Sequence, residues 1–403
     1  MLLFLQIILA LLSLALTPPA GINIGTWRGV LMTKNGELPF TFETKLAGEK
    51  VILEINNGEE HILVDEVSIS GDSVFIKMPV FDSEFRLKYT PQMMSGTYIN
   101  YSRKADNIIP FKAEFNKHYR FTEENITPVA NISGRWEVDF SKGTADSSKA
   151  VGVFNQQGNE LTGTFLTVSG DYRYLEGTVQ GDKLFLSTFD GAHAFLFTAT
   201  IAADGIMSGM YYSGNHWKEP WIAKKNPEYQ LPDPYSLTYL KPGYERFDFT
   251  FPDLSGKMVS LSDEQFKNKA VIVQIMGSWC PNCMDETGYF APLYDQYKSR
   301  GLEIVALAYE RSPELEKAKV TLERLKKRFN INYTILFAGA VGPDAAKTLP
   351  MINAILSYPT TIFIDKKGMV RKIYTGITGP ATGIEYDKWK DDTNRLVDKL
   401  ISE

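Results

Sequence analysis

The chain has few cysteines and histidines and no excess of positive charge. Its 403 residues include two cysteines and four histidines, and its formal net charge at pH 7 is −5. Two cysteines cannot form the set of disulfides that stabilises many small secreted proteins. No histidine follows His216, so Cys280 and Cys283 lack the further ligands of a zinc site. The negative net charge argues against a nucleic-acid partner. We therefore expect no metal, no cofactor and no nucleic acid.

Long apolar runs are also scarce, and the clearest one opens the chain. Residues 1–16 are almost wholly apolar, which is short for a membrane span of about 20 residues and typical of a signal-peptide core. We predict a signal peptide over residues 1–20 and a periplasmic or cell-envelope location. No Lys or Arg precedes Arg28, so the basic start of a signal peptide is missing. An uncleaved anchor therefore stays open as the alternative.

Two β-rich stretches follow, and they repeat each other. Short runs of Val, Ile, Phe, Tyr and Thr alternate with Gly, Asn and Asp turns. Four motifs recur roughly 110 residues later: Gly25-Thr26-Trp27 as Gly134-Arg135-Trp136, Gly71-Asp72-Ser73 as Gly181-Asp182-Lys183, Phe81-Asp82 as Phe189-Asp190, and Gly96-Thr97-Tyr98 as Gly209-Met210-Tyr211. The repeat predicts two antiparallel β modules, over 24–120 and 131–225, each an up-and-down barrel or sandwich. Whether they form one body or two stays open.

The composition changes twice in the second half of the chain. Residues 226–243 hold four prolines and predict a stiff, extended linker that sets a third domain apart. From residue 244 to the end, strand-like apolar runs alternate with amphipathic helical patterns. This alternation predicts an α/β domain over 244–403, with a central sheet and helices on both faces.

The two cysteines stand where a predicted buried strand, 270–276, meets a predicted helix. The free N–H groups and positive dipole end of a helix favour a thiolate at its first turn. Cys280 is therefore the predicted nucleophile, with Pro281 in the first helical position, and Cys283 is the predicted resolving thiol. A structural disulfide is the alternative, but a loop this short removes little entropy from the unfolded chain. The spacing favours a redox-active pair.

Two motifs together resemble the thioredoxin superfamily. They are Trp279-Cys280-Pro281-Asn282-Cys283 after a buried strand, and Tyr358-Pro359-Thr360-Thr361-Ile362-Phe363-Ile364-Asp365 about 80 residues later. With the extra strand and helix between Leu302 and Phe329, the last 160 or so residues resemble the exported TlpA/ResA-like thiol–disulfide reductases. The resemblance does not extend to the β modules.

The resemblance implies roles for further residues. Pro359 corresponds to the family's cis-proline facing the disulfide, which leaves the backbone at Tyr358 free to pair with a substrate strand. Trp279 and Pro281 complete the implied substrate-binding set. Glu310 stands where the resemblance implies an acidic residue that shuttles protons for the thiols. The chain departs from thioredoxin at Gln274, which replaces a buried Asp.

We therefore hypothesise a periplasmic thiol–disulfide oxidoreductase that reduces protein disulfides through Cys280 and Cys283. In an oxidising compartment it needs a membrane thiol electron donor. Two alternatives stay open: a disulfide oxidase or isomerase on the same fold, and an envelope-binding module in which the β repeats hold a partner and the thiols are secondary. A peroxiredoxin is disfavoured because Val273 and Gly277 stand where that family needs Pro and Thr.

Overall fold

The computed structural model describes residues 21–403. The predicted signal peptide over 1–20 lies outside the described residues. The described chain forms two antiparallel β modules followed by an α/β domain, which confirms the predicted fold class. Among residues 21–403, no helix is both long enough and apolar enough to cross a membrane.

The first β module is a nine-stranded antiparallel meander. Its strands are β1 (Gly25–Thr33), β2 (Gly36–Ala47), β3 (Lys50–Asn57), β4 (Glu60–Val64), β5 (Glu66–Ser70), β6 (Ser73–Lys77), β7 (Ser83–Tyr89), β8 (Met93–Asn100) and β9 (Ile108–Phe115). They lie in the order β4-β3-β2-β1-β9-β8-β7-β6-β5. Pairing of β1 with β9 joins strands β1–β4 to strands β5–β9. The two edge strands of the sheet are β4 and β5, and Asp65 is the only residue between them along the chain.

The second β module also has nine strands, but its sheet closes. The strands are β10 (Gly134–Phe140), β11 (Ser148–Gln157), β12 (Glu160–Thr167), β13 (Gly170–Asp171), β14 (Leu175–Gln180), β15 (Lys183–Phe189), β16 (Ala194–Ile201), β17 (Met207–Ser213) and β18 (Trp217–Lys225). β10 pairs with both β11 and β18, and β12 pairs with both β11 and β14. These pairings close a ring of eight strands, and the short β13 forms a hairpin with β12 outside it.

The internal repeat is visible in matching positions of the two modules. Trp27 and Trp136 are both buried, and each indole N–H donates to the carbonyl of the residue four positions earlier. Gly71 and Gly181 lie in equivalent turns with φ of 60° and 56°, a left-handed conformation that favours glycine. The recurring motifs therefore mark equivalent structural positions.

The two β modules pack against each other as one body. Phe189 of the second module belongs to the core of the first, where its ring lies 4.8 Å from that of Phe40. Arg120, in the connecting segment, is buried between the modules and hydrogen-bonds to both, donating to Asn57 over 3.0 Å and to Ser187 over 2.9 Å. The sequence had left this arrangement open.

The third domain is built on a mixed five-stranded sheet. Its elements are β19 (Thr250–Pro252), β20 (Met258–Ser260), β21 (Ala270–Met276), α1 (Pro281–Tyr297), β22 (Leu302–Glu310), α2 (Leu315–Arg328), β23 (Thr334–Ala340), β24 (Thr360–Ile364), β25 (Val370–Thr375) and α3 (Ile384–Ser402). Short 3₁₀ turns cover Glu264–Phe266, Lys298–Arg300, Ala345–Thr348 and Pro380–Thr382. The sheet order is β23-β22-β21-β24-β25, with β21, β22 and β23 parallel and β24 and β25 antiparallel to their neighbours.

The expectation of helices on both faces of this sheet is wrong. All three α-helices contribute to one core cluster, together with Ile272 and Ile304 of the sheet. The opposite face is covered by Phe247, Phe249 and other residues of the segment before β21, and by residues around the third 3₁₀ turn. Helical periodicity identifies a buried stripe, but it does not say which face of the sheet that stripe covers.

The linker over residues 226–243 stays a prediction, and the structure shows what the segment contacts. Its first residues bind the second module, where Arg135 donates to the Tyr229 carbonyl over 2.8 Å, and its later residues bind the third domain. Thr238 is buried and hydrogen-bonds to Thr375, and the Tyr235 ring lies 4.9 Å from the Tyr374 ring. The prolines favour an extended chain, but the side chains between them bind it to the edge strand β25.

Candidate active site

Cys280 and Cys283 lie where β21 turns into α1. Every residue of β21 is buried. Cys280 is the N-cap of α1, and Pro281 occupies the start of the helix, where no N–H is needed. The two cysteines form a disulfide whose Cα atoms are 5.3 Å apart. The predicted position of the pair at a helix N-terminus is confirmed.

The surroundings of the two sulfur atoms differ. The backbone N–H of Cys283 donates to Cys280 Sγ over 3.2 Å, and the positive end of the helix dipole lies at the same place. Both effects favour negative charge on Cys280. Cys280 is 5% exposed and Cys283 is fully buried, so a substrate meets Cys280 first. This geometry fits a nucleophile and a resolving thiol, and those roles stay predictions.

The loop before β24 packs against the disulfide. The Tyr358 carbonyl oxygen lies 3.3 Å from Cys280 Sγ, and the Tyr358–Pro359 peptide bond is cis. The N–H of Gly376 donates to the Pro359 carbonyl over 2.9 Å, which ties this loop to the end of β25. The two motifs that carried the resemblance therefore meet in space, about 80 residues apart in the chain.

Trp279 forms an aromatic wall beside the disulfide. Its indole N–H donates to the Tyr309 carbonyl over 2.8 Å, and its ring lies 5.4 Å from the ring of Tyr358. The guanidinium of Arg311 lies 5.2 Å from the Trp279 ring centroid, a cation–π contact. Trp279 and Tyr358 thus hold each other in place, and contact of either with a substrate stays a prediction.

Glu310, at the end of β22, is buried in the wall of the same cavity as Cys280. Its carboxylate accepts hydrogen bonds from the Ser278 N–H over 2.7 Å and from Ser278 Oγ over 2.6 Å. Burial raises the pKa of Glu310, although the bonds from Ser278 oppose that effect. These contacts fix the turn that carries Trp279 and Cys280. They favour a positioning role, and the catalytic role of Glu310 stays a prediction.

A second buried carboxyl, that of Glu286, was not among the predicted site residues. It is fully buried on α1, and it accepts hydrogen bonds from Gln274 Nε2 over 2.9 Å and from Thr361 Oγ1 over 2.6 Å. Burial raises its pKa to about 7, against the lowering effect of both hydrogen bonds. A group with this pKa exchanges protons readily near neutral pH.

The sequence did contain a signal for Glu286. It follows Cys283 by three residues, a spacing that places both side chains on one face of a helix. Gln274, which stands where thioredoxin has a buried Asp, binds Glu286. The buried ionisable group is thus supplied by α1 instead of β21.

The disulfide faces a cleft between the third domain and both β modules. The cleft encloses about 590 Å³. Its walls are residues 80–82 and 100–104 of the first module, Ala192 and His193 of the second module, and residues 278–282 and 310–312 and part of α2 of the third domain. The redox pair therefore opens onto a space that all three parts of the described chain form together.

One buried arginine joins the three parts beside this cleft. Arg173, two residues after β13, forms ion pairs with Asp285 on α1 and Glu60 in β4, and its Nε lies 3.6 Å from Asp190. Burial lowers the pKa of Arg173, but the carboxylates of Asp285, Glu60 and Asp190 raise it well above its ordinary value. The guanidinium is therefore a charged link between both modules and the redox helix.

A mixed sheet, a Cys-x-x-Cys pair at a helix start and a facing proline define a thioredoxin-like dithiol protein. A sequence profile of the AhpC/TSA family matches residues 242–373. The thiol-disulfide oxidoreductase ResA of Halalkalibacterium halodurans is 31% identical over 136 residues, which are 33% of this chain and 68% of that protein. ResA of Bacillus subtilis is 29% identical over 134 residues, 33% of this chain and 67% of that protein.

The chain therefore belongs to the ResA thiol-disulfide oxidoreductase family through its C-terminal domain, which confirms the resemblance. The chain spans 66% of the length of other curated relatives. One of these is ResA of Bacillus thuringiensis, which is 31% identical over 128 residues. A solved structure described as a putative thiol:disulfide interchange protein DsbE from Chlorobium tepidum is 20% identical. The match covers 40% of this chain and 99% of the Chlorobium tepidum chain, with a TM-score of 0.31.

Proposed function

We propose that the protein is an exported thiol–disulfide oxidoreductase that reduces disulfides in other proteins. One observation carries the proposal: Cys280 Sγ accepts a hydrogen bond from the Cys283 N–H at the start of α1, and Cys280 lines the cleft. A sulfur held this way is stabilised as a thiolate, which is the attacking form in disulfide exchange. The ResA relatives support the same chemistry.

In the proposed reaction, the reduced enzyme transfers two electrons to its substrate. The Cys280 thiolate attacks one sulfur of the substrate disulfide, that bond breaks, and a mixed disulfide and a substrate thiolate form. Cys283 then loses its proton and attacks Cys280 Sγ, which releases the second substrate thiolate. The substrate leaves as a dithiol, and the Cys280–Cys283 disulfide remains.

The buried Cys283 needs a proton acceptor in the second step. Glu286 lies one helical turn further along α1, is buried with it, and has a pKa of about 7. We assign it the proton from Cys283, passed directly or through one water molecule. Glu310 is assigned to holding the Ser278 turn, and Trp279, Pro281, Tyr358 and Pro359 are assigned to substrate contact.

The oxidised enzyme must be reduced again before the next turnover. We propose a membrane thiol protein as the electron donor, because an exported enzyme has no access to cytoplasmic reductants. Export itself rests on the apolar sequence of residues 1–20. Mass spectrometry of the mature N-terminus from isolated cell envelopes tests it.

Two cysteine variants test the proposed chemistry. Cys280→Ser should abolish reduction of a protein disulfide, because the attacking sulfur is lost. Cys283→Ser should still attack but not resolve, so a mixed disulfide with the substrate should accumulate on non-reducing gels. Turnover by Cys280→Ser, or a mixed disulfide formed through Cys283 instead of Cys280, would contradict the proposal.

A further inference from the structure

The cleft that holds Cys280 contains two arginines without a carboxylate partner. Arg103 comes from the β8–β9 loop of the first module, and Arg311 follows β22 of the third domain. Among residues 21–403, neither guanidinium forms an ion pair with a carboxylate. In contrast, the buried Arg120 pairs with Glu176, and Arg173 pairs with Glu60 and Asp285. Arg103 and Arg311 thus differ from Arg120 and Arg173 in having no paired carboxylate among the described residues.

The two arginines also lie close enough to affect each other. Arg311 is exposed to solvent at the cleft. Partial desolvation and then the charge of Arg103 lower its pKa, while Glu310 raises it as an opposing charge. Burial lowers the pKa of Arg103 as well. Two like charges that share a cleft repel each other, and an anion between them removes that repulsion.

The other charged groups of the cleft leave a positive balance. Lys104 is exposed and also lines the cleft, and Lys317 is held by Glu314 over 2.8 Å. Asp82 is exposed to solvent. Glu310 accepts hydrogen bonds from Ser278, and His193 Nδ1 lies 3.2 Å from an Asp190 carboxylate oxygen. Glu310 and Asp82 are the carboxylates in the cleft lining. Neither of them neutralises Arg103.

We infer that this cleft is the substrate-binding site and that it selects a disulfide in an acidic, flexible peptide segment. The inference rests on the proposed function. Guanidinium groups bind carboxylates through paired hydrogen bonds, so acidic side chains beside the substrate disulfide fit Arg103 and Arg311. The volume of about 590 Å³ suits a few residues and not a folded domain.

The same inference gives the β modules a part in catalysis. The first module supplies Arg103 and the rim residue Tyr101, and the second supplies His193. The third domain supplies Cys280 and Arg311. A substrate segment that reaches Cys280 must therefore pass between all three, and its disulfide is reduced by the two-electron exchange described above.

Rate measurements with matched peptides test the inference. The fully reduced full-length protein is mixed, at low ionic strength, with peptides that share one disulfide flanked by Glu, Gln or Lys. The neutral 2-hydroxyethyl disulfide is measured alongside them. We expect the Glu peptide to react about three- to tenfold faster than the Gln peptide, the effect of one partly desolvated ion pair. The Lys peptide should react most slowly, and salt should reduce the differences.

Variants locate the source of the preference. Arg103→Gln and Arg311→Gln should each reduce the ratio of the Glu-peptide rate to the Lys-peptide rate. The ratio is used because it cancels any general change in thiol reactivity. Arg103→Lys keeps the charge and should keep most of the preference. The control Arg395→Gln removes an arginine that is 71% exposed on α3, so it should leave the ratio unchanged.

Equal rates for the three peptides, or a ratio unaffected by both glutamine variants, would overturn the inference. A preference lost equally in Arg103→Lys and Arg103→Gln would overturn the role of charge. A wild-type protein that does not reduce 2-hydroxyethyl disulfide would instead contradict the proposed function, so the two failures are distinguishable.

Discussion

The thioredoxin-like domain and the two β modules contribute to the site in different ways. The groups that we propose to react or to contact the substrate all belong to the third domain, where Cys280, Tyr358 and Trp279 lie within one network of contacts. The β modules supply none of these groups. They line the cleft in front of Cys280, and we propose that they select what reaches it. The chemistry thus depends on one short motif, whereas access depends on tertiary contacts between three parts.

The two β modules also differ from each other, although both are nine-stranded antiparallel sheets. The second module closes its ring and carries the additional β12–β13 hairpin. That hairpin lies on the redox site: Asn282 donates to the Asp171 carbonyl over 3.3 Å, and Ser357 donates to the Ser169 carbonyl over 3.0 Å. The first module contributes Arg103 from a different loop. The two modules therefore contact the redox site through different loops.

The largest expected effect comes from breaking the junction between the parts. Arg173→Met leaves Glu60, Asp285 and Asp190 without their buried counter-charge. We expect a loss of about 3–5 kcal/mol in unfolding free energy, measured by urea denaturation. The control Arg135→Met removes a partly exposed second-module arginine that lies 3.8 Å from Glu385 and donates to the Tyr229 carbonyl, and it should cost only about 1–2 kcal/mol. Equal losses in both variants would show that the junction does not depend on Arg173.

The next effect is confined to the thioredoxin-like domain and depends on pH. Burial raises the pKa of Glu286 from 4.5 to about 7. A carboxyl whose pKa is higher in the folded state stabilises the protein below its unfolded pKa and loses that contribution as pH rises through the folded pKa. Stability should therefore fall by on the order of 2–3 kcal/mol between pH 4.5 and pH 8 through this group.

Glu286→Gln removes that titration while keeping the shape of the side chain. The unfolding free energy of this variant should fall less steeply over the same pH range, by denaturation at several pH values. Glu323→Gln, on the exposed side of α2, is the matched control and should keep the wild-type slope. A wild-type slope in Glu286→Gln would mean that Glu286 does not titrate in this range.

The smallest expected effect is on the rate of disulfide reduction when the β12–β13 hairpin is moved away from Cys280. Gly170 has a φ of 143°, and a Cβ at this position would overlap Asn282. Gly170→Ala should push the hairpin off the redox site and speed the reduction of 2-hydroxyethyl disulfide. Loss of one hydrogen bond worth about 1 kcal/mol corresponds to roughly a fivefold change. Gly158→Ala is the control, because its φ is 60° but a Cβ there meets no atom within 4 Å. A slower reaction in Gly170→Ala alone would show that the hairpin assists the reaction.

Local sequence patterns predicted the parts of the fold that depend on residues close together in the chain. The strand before Cys280, the proline at the helix start and the recurring glycine turns all depend on nearest neighbours along the chain, and each is found where it was predicted. The internal repeat identified two equivalent modules for the same reason. Turn glycines and a buried Trp require particular positions in every copy.

The cleft could not be predicted in this way, because its members are far apart in the sequence. Arg103 and Arg311 belong to different domains, and nothing in the sequence relates them; only the fold places them in one cleft. Thr238 and Thr375 bind the proline-rich segment to the third domain through contacts that composition does not encode. Glu286 lies outside the cleft. Its spacing from Cys283 indicated its face of α1, but its burial and its pKa depend on Gln274 and Thr361, which come from two different strands.

The reduction potential of the Cys280–Cys283 couple tests the central claim most directly. It can be measured by equilibrating the full-length protein with defined dithiol buffers and quantifying the oxidised fraction. We expect a value near or below about −250 mV, in the range of reductases such as thioredoxin. A value near about −120 mV, typical of a strong oxidant, would reverse the proposed electron flow and contradict the assignment as a reductase.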